Sequence, residues 1–179
     1  MKQNKWFFKR PTIMIDWDDV IVETLPYLLS VYNAMTDSNV QYEWVKQWNL
    51  NNICDMRIIR SIFRDPDFWR NIPEKDNAFR VIQEIINDAR YDIFICTACQ
   101  TKQEFDMKYE VLQKHIPGFN MRKIISLVDK DKFRADCIVD DGLHNLDACK
   151  PYVSHCIVMD MPHNQNADKD YIRIKGLSE

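Results

Sequence analysis

The stretch TIMIDWDDVIVET, residues 12–24, decides how the chain is read. Ile13, Met14 and Ile15 run straight into Asp16-Trp17-Asp18-Asp19, and apolar residues resume at Val20, Ile21 and Val22. A run this short and β-branched suits a strand buried on both faces, as in a parallel sheet. Carboxylates at its end are costly to desolvate unless something meets their charge. Either they form an ordinary turn or cap, or a positive group waits for them.

Working outward, the same profile recurs. Residues 91–96 run into Thr97, and residues 135–139 run into Asp140-Asp141. Residues 123–128 and 154–159 fit the template as well. Helical patterns lie between them. Phe79, Ile82, Ile85 and Ile86 are spaced for a helix over 78–89, and Met107, Val111 and Leu112 for one over 105–115, stopped by Pro117-Gly118. Strands alternating with helices predict right-handed βαβ crossovers in a three-layer α/β domain with a central parallel sheet. One interval breaks the rhythm. Residues 23–71 contain no convincing strand but many aromatics, among them Tyr27, Tyr32, Tyr42, Trp44, Trp48, Phe63, Phe68 and Trp69. They are expected to form a small helical subdomain inserted into a core of residues 1–22 and 72–179, with most of the aromatics simply packing.

Composition narrows the function. A chain of 179 residues with 46% hydrophobic residues is long enough for one cored domain with an insertion. A net charge of −3, with both signs interspersed, gives no basic footprint for duplex nucleic acid. A phosphorylated small molecule would need its charge met locally. The apolar run Trp6-Phe7-Phe8 is too short for a secretory signal, and no stretch has the length of a membrane span. The six cysteines mostly sit within apolar runs, as reduced core thiols would, so a cytoplasmic location is expected.

In an open parallel sheet, ligands collect at the carboxyl ends of the strands. The residues expected there are Asp16, Asp18 and Asp19, then Thr97, then Asp140-Asp141, with Lys130 and Lys132 in the loop after residues 123–128. Clustered carboxylates call for a cation, and hard oxygen ligands point to Mg²⁺. Cys96-Thr97-Ala98-Cys99 is formally a redox Cys-x-x-Cys, but that reading leaves the aspartates unexplained. Zinc lacks a second cysteine pair, and the four histidines are scattered.

The order Asp-x-Asp-x-Val, Thr, Lys, Asp-Asp resembles the haloacid dehalogenase superfamily of phosphotransferases, and within it the 5′(3′)-deoxyribonucleotidases. The resemblance covers nearly the whole chain. DPDFWRNIPEKDNAFRVIQEI is similar to that family's return from cap to core, DIFICTAC to its second motif, and DKDKFRADCIVDDGLHNL to its lysine and double-aspartate motifs. IVMDMPHNQ followed by YIRIKG resembles its terminal strand and Pro-x-Asn turn. The resemblance implies that Asp16 is the nucleophile and Asp18 the general acid and base. It implies that Mg²⁺ is held by Asp16, the Asp18 carbonyl, Asp140 and Asp141, and that Lys130 and Thr97 contact the phosphoryl group. The substrate would be a nucleoside, or deoxyribonucleoside, 5′-monophosphate, with the inserted helices closing as a cap. Phe68 and Trp69 match the base-stacking segment, and Trp44 and Trp48 are added by composition. Asp19 stands where relatives usually carry Gly, and Thr24 where some carry an aromatic. Homodimerisation is common among such relatives, and no interface is marked here. The competing functions are a phosphatase for another small metabolite and a binding protein that has kept the fold without turnover.

Overall fold

The computed structural model describes residues 10–179, so the Trp6-Phe7-Phe8 run lies outside the described residues. Six strands form one parallel sheet: β1 (Thr12–Asp16), β2 (Asp92–Thr97), β3 (Ile124–Ser126), β4 (Cys137–Asp140), β5 (His155–Met159) and β6 (Ile172–Ile174). Their order across the sheet is β3-β2-β1-β4-β5-β6. The first five fall on the five apolar runs, with their ends moved by at most two residues in either direction. β6 is only three residues long and largely exposed, so periodicity does not mark it.

Alternation within β1 sorts the two faces. Ile15 packs in a large cluster with Trp17 and with Ile82, Val111 and Leu112 from the helices on one side. Met14 packs on the other side with Cys96, Ile138, Leu146 and Val158. The helices are α1 (Thr24–Thr36), α2 (Met56–Arg64), α3 (Pro66–Asn71), α4 (Ala78–Asn87), α5 (Lys102–His115) and α6 (Leu143–Cys149). None is long and apolar enough to cross a membrane.

Between β1 and α4 the described chain is helical: α1, a 3₁₀ turn at Tyr42–Trp44, α2 and α3. Where the chain enters this stretch, it lies beside where it leaves. Val22 bridges Glu74 in antiparallel fashion. The Glu23 amide donates to the Pro73 carbonyl at 2.9 Å, and the Lys75 amide to the Ile21 carbonyl at 2.9 Å. Pro66 sits in the first turn of α3, where its missing N–H costs nothing, and Asp65 caps that turn by accepting from the Asp67 amide.

The strand order places the site. Going outward from β1, the chain runs through β2 and β3 to one edge, then returns to the other side of β1 for β4, β5 and β6. The reversal lies between β1 and β4, the position where an open parallel sheet leaves a crevice at its carboxyl end. Asp16 ends β1 and Asp140 ends β4.

Candidate active site

Two adjacent strand ends bring three aspartates together. One carboxylate oxygen each from Asp16, Asp140 and Asp141 lies within 4.8 Å of the others, and all three residues are buried. Asp140 is fully engaged. Its oxygens accept from Lys130 Nζ at 2.6 Å, the Gly142 amide at 2.8 Å and Asn145 Nδ2 at 3.0 Å. A Cβ at Gly142 would stand 3.1 Å from Asp140 Oδ1 and 2.9 Å from His144, so glycine keeps that approach open. Asp141 is the opposite case. Its Oδ1 is buried without a hydrogen-bond partner among the described residues. A buried carboxylate oxygen with no donor beside two other carboxylates fits a hard cation such as Mg²⁺. Of the two adjacent aspartates, Asp141 is the one with an oxygen that no donor among the described residues meets.

Asp16 has one oxygen held, and the other has no hydrogen-bond partner among the described residues. Its Oδ1 accepts from the Trp17 amide at 2.7 Å and pairs with Lys130 Nζ at 2.7 Å, while the residue borders the cavity. Burial drives the Asp16 carboxyl well above the ordinary range, helped by the charges of Asp140 and Asp18 and opposed by Lys130. Burial and the neighbouring Asp140 raise Asp141 in the same way. Burial would lower the Lys130 ammonium, but Asp16 and Asp140 outweigh it and hold the lysine charged.

Asp18 points away from this triad. Its Oδ1 accepts from Thr24 Oγ1 at 2.9 Å, and its Oδ2 from Lys108 Nζ at 2.8 Å. The Thr97 hydroxyl accepts from Lys108 at 2.8 Å and donates to Asp18 Oδ2 at 3.3 Å. Thr97 is buried and does not border the cavity, so the hydroxyl expected on a phosphoryl oxygen instead joins Lys108 to Asp18. Lys108 is 0% exposed, pairs also with Glu104 at 3.1 Å, and lies 4.4 Å above the Trp69 ring. Burial alone would raise Asp18. The Lys108 charge, with hydrogen bonds from Lys108 and Thr24, prevails and keeps it below the ordinary value.

Asp16, Asp18 and Lys130 border a cavity of about 870 Å³. Leu25, Leu28, Ile59 and Phe63 give it an apolar wall. Trp69 borders it, and so does Trp48, 54% exposed, with its ring edge-on to His144 and His163 at centroid distances of 4.8 and 5.2 Å. Two expected base-stacking residues lie elsewhere. Phe68 is buried against Tyr27, Phe63 and Trp69 at 5.0–5.6 Å, a packing role. Trp44 is 57% exposed and does not border the cavity. The same 3₁₀ turn directs Tyr42 inward, where its hydroxyl donates to Met161 Sδ at 3.3 Å, and that leaves Trp44 outside.

The profile of the family described as "5′ nucleotidase, deoxy (Pyrimidine), cytosolic type C protein" matches residues 10–179. The chain belongs to this family. As a member of the 5′(3′)-deoxyribonucleotidase family it is a phosphomonoesterase. Its relatives include a 5′(3′)-deoxyribonucleotidase of Bacillus subtilis, 24% identical over 142 residues, covering 78% of this chain and 80% of that one. A Staphylococcus epidermidis protein, provisionally given the same name, is 27% identical over 141 residues, covering 77% and 78%. Among solved structures, a haloacid dehalogenase-like hydrolase from Streptococcus pneumoniae superposes with a TM-score of 0.64 at 12% identity, over 94% of this chain and 96% of that one. A Bacillus subtilis hydrolase of that fold, solved bound to magnesium, gives 0.52 at 12% identity over 96% of each chain. These likenesses fix the fold as haloacid dehalogenase-like.

The departures from the family pattern have local explanations. Asp19 adopts φ 57°, a left-handed conformation that costs a non-glycine residue about 1–2 kcal/mol. Its carboxylate offsets part of this by accepting from the Leu25 amide at 2.8 Å, capping the first turn of α1. Thr24 supplies the hydroxyl on Asp18. The Pro-x-Asn turn is a staple: buried Asn164 donates to the carbonyls of Asp141 at 2.9 Å and Met159 at 2.7 Å. The thiols of the Cys-x-x-Cys are pushed by burial to about 12 at Cys96 and about 11 at Cys99, the wrong direction for a reactive pair. Cys96 lies inside β2 and α5 begins only at Lys102, so the motif does not open a helix.

Mg²⁺ is expected to raise the unfolding midpoint, by the equivalent of about 2.7 kcal/mol at one hundred times its dissociation constant. Asp141→Asn should reduce that shift to less than half at the same Mg²⁺ concentration. Thermal unfolding with and without Mg²⁺ checks this, and equal shifts in both proteins would remove Asp141 from the ion's reach.

Proposed function

We propose that the chain hydrolyses nucleoside 5′-monophosphates, with deoxyribonucleotides the favoured class, through a phosphoryl group carried on Asp16. One observation carries the reading. A buried aspartate at the sheet's switch point has one oxygen held by Lys130 and a backbone amide, borders the cavity, and sits beside the carboxylates of Asp140 and Asp141. A second aspartate, two residues on, is held apart in a different electrostatic environment. The names of the relatives, 5′(3′)-deoxyribonucleotidases, supply the substrate class.

The residues divide the work. The Asp16 carboxylate attacks phosphorus, and the bond from phosphorus to the ribose oxygen breaks while Asp18 delivers a proton to that oxygen. Water then attacks the aspartyl-phosphate, with Asp18 taking its proton, and Asp16 is released. Asp16, Asp140 and Asp141, with the Asp18 carbonyl, would hold Mg²⁺, which neutralises the mutual repulsion of nucleophile and phosphate. Lys130 keeps Asp16 and Asp140 together and balances one of their charges.

Asp16 is raised and Asp18 lowered, whereas the first step needs Asp16 ionised and Asp18 protonated. A cation at the triad favours the Asp16 anion, and a phosphate dianion beside Asp18 favours its acid form. In this reading the insertion of residues 23–71 acts as the cap, with Trp69 and Trp48 as the aromatic surfaces for the base.

The test is a panel of ribo- and deoxyribonucleoside 5′- and 3′-monophosphates, with and without Mg²⁺, alongside an aryl phosphate. Mg²⁺-dependent phosphate release is expected, fastest on deoxyribonucleoside 5′-monophosphates. Release from the aryl phosphate but from no nucleotide would transfer the chemistry to another small metabolite. No release from any substrate in folded protein would favour a binding role.

A further inference from the structure

The cavity carries charge that the reaction above does not use. α2 presents Met56, Ile59, Arg60, Phe63 and Arg64 to it, the stripe one helix face offers at spacings of three and four residues. Arg60 and Arg64 are one turn apart and exposed. Among the described residues neither guanidinium has an ion pair or a hydrogen bond. Their neighbours differ. Arg57, which does not border the cavity, pairs with Asp55 at 2.7 Å, and Arg70 pairs with Asp67 at 3.2 Å. The arginines of this stretch that face away from the cavity are thus partnered, and the two that line it are not.

Nor are they paired with Asp16, Asp18, Asp19 or Glu104, which border the same cavity. They therefore lie beyond ion-pair reach of the acidic end, at a separate position on the wall. Guanidinium forks match phosphate oxygens in planar, two-point fashion. The volume of about 870 Å³ lies near the top of the range of about 300–1,000 Å³ for small-molecule sites. That leaves room beyond a single nucleoside monophosphate, with Leu25, Leu28 and Ile59 as apolar wall for the sugar and base.

We propose that Arg60 and Arg64 form a second anion subsite, which binds a further phosphate of the substrate remote from the one transferred to Asp16. The ligand class is the nucleoside 3′,5′-bisphosphate. The inference rests on the nucleotidase reading of the acidic end. A 5′-phosphorylated dinucleotide offers a related second anion as a phosphodiester, so the experiment separates the two.

The experiment compares kcat/KM on a deoxyribonucleoside 5′-monophosphate, the matching 3′,5′-bisphosphate and the matching 5′-phosphorylated dinucleotide, with Mg²⁺ present. Two exposed charge contacts predict an advantage of about tenfold for the bisphosphate at low salt, expressed in KM and eroded by added salt. Arg60→Gln combined with Arg64→Gln removes that advantage and leaves kcat/KM on the monophosphate unchanged. Arg60→Lys with Arg64→Lys keeps the charge without the fork and retains part of it. Equal kcat/KM on mono- and bisphosphate in the unmodified enzyme overturns the subsite while the nucleotidase reading stands. An arginine-dependent advantage confined to the dinucleotide overturns the bisphosphate assignment. Absence of turnover on every monophosphate overturns the nucleotidase reading, and the subsite falls with it.

Discussion

Asp16→Asn is expected to abolish Mg²⁺-dependent phosphate release, lowering kcat by about 10⁴-fold or more on nucleotides and aryl phosphates alike. The amide keeps the size of the carboxylate, and its oxygen can still accept from the Trp17 amide and from Lys130, but it is a poor nucleophile. The fold should not suffer. Burial disfavours the Asp16 anion, so without metal a neutral group there is no harder to bury, and the unfolding midpoint should hold or rise. Steady-state assays beside thermal unfolding check both halves. Comparable rates in the two proteins would take the nucleophile's role from Asp16.

Lys108→Met is expected to have the second-largest effect. Methionine fills similar space under Trp69 but leaves Asp18 and Glu104 without their cation. Removing one partner of a buried ion pair costs about 3–5 kcal/mol, and mispositioning the acid–base group should lower kcat by about 10²-fold. The pH dependence separates the electrostatic part from lost packing. With Lys108 present, Asp18 has a folded-state pKa below its unfolded value, so its contribution to stability is full at neutral pH and is lost as pH falls through the folded value. Without Lys108, burial dominates and the folded value moves above the unfolded one. The penalty is then largest at neutral pH and shrinks as pH falls toward about 4, the unfolded aspartate value. Unfolding midpoints of both metal-free proteins across that range are the measurement. A difference that does not change with pH would assign Lys108 to packing alone.

Lys108 also shows where the sequence is hard to read. Asp16, Asp140 and Asp141 announce themselves because each ends an apolar run, and a strand end is a position as well as a composition. Lys130 follows from the resemblance of DKDKFRADCIVDDGLHNL to the lysine and double-aspartate motifs. Lys108 sits within a helix and forms an i, i+4 pair with Glu104, the usual mark of a solvated face. The signal was there in another form. Glu104, Met107, Lys108, Val111 and Leu112 make one continuous stripe, so two charges lie on the face that the apolar residues define as buried. A charge pair on the apolar stripe, not beside it, is what distinguishes this lysine. Trp44 and Phe68 were indistinguishable from Trp48 and Trp69 by type. Only the path of the 3₁₀ turn and the packing of α3 separate wall from core from surface. Thr97 was placed correctly at a strand end, but which way its hydroxyl turns depends on a lysine from α5.

The paired crossings at Val22 and Glu74 have a mechanical consequence. Two backbone segments laced together by hydrogen bonds hold the points where residues 23–71 leave and rejoin the sheet at a fixed separation.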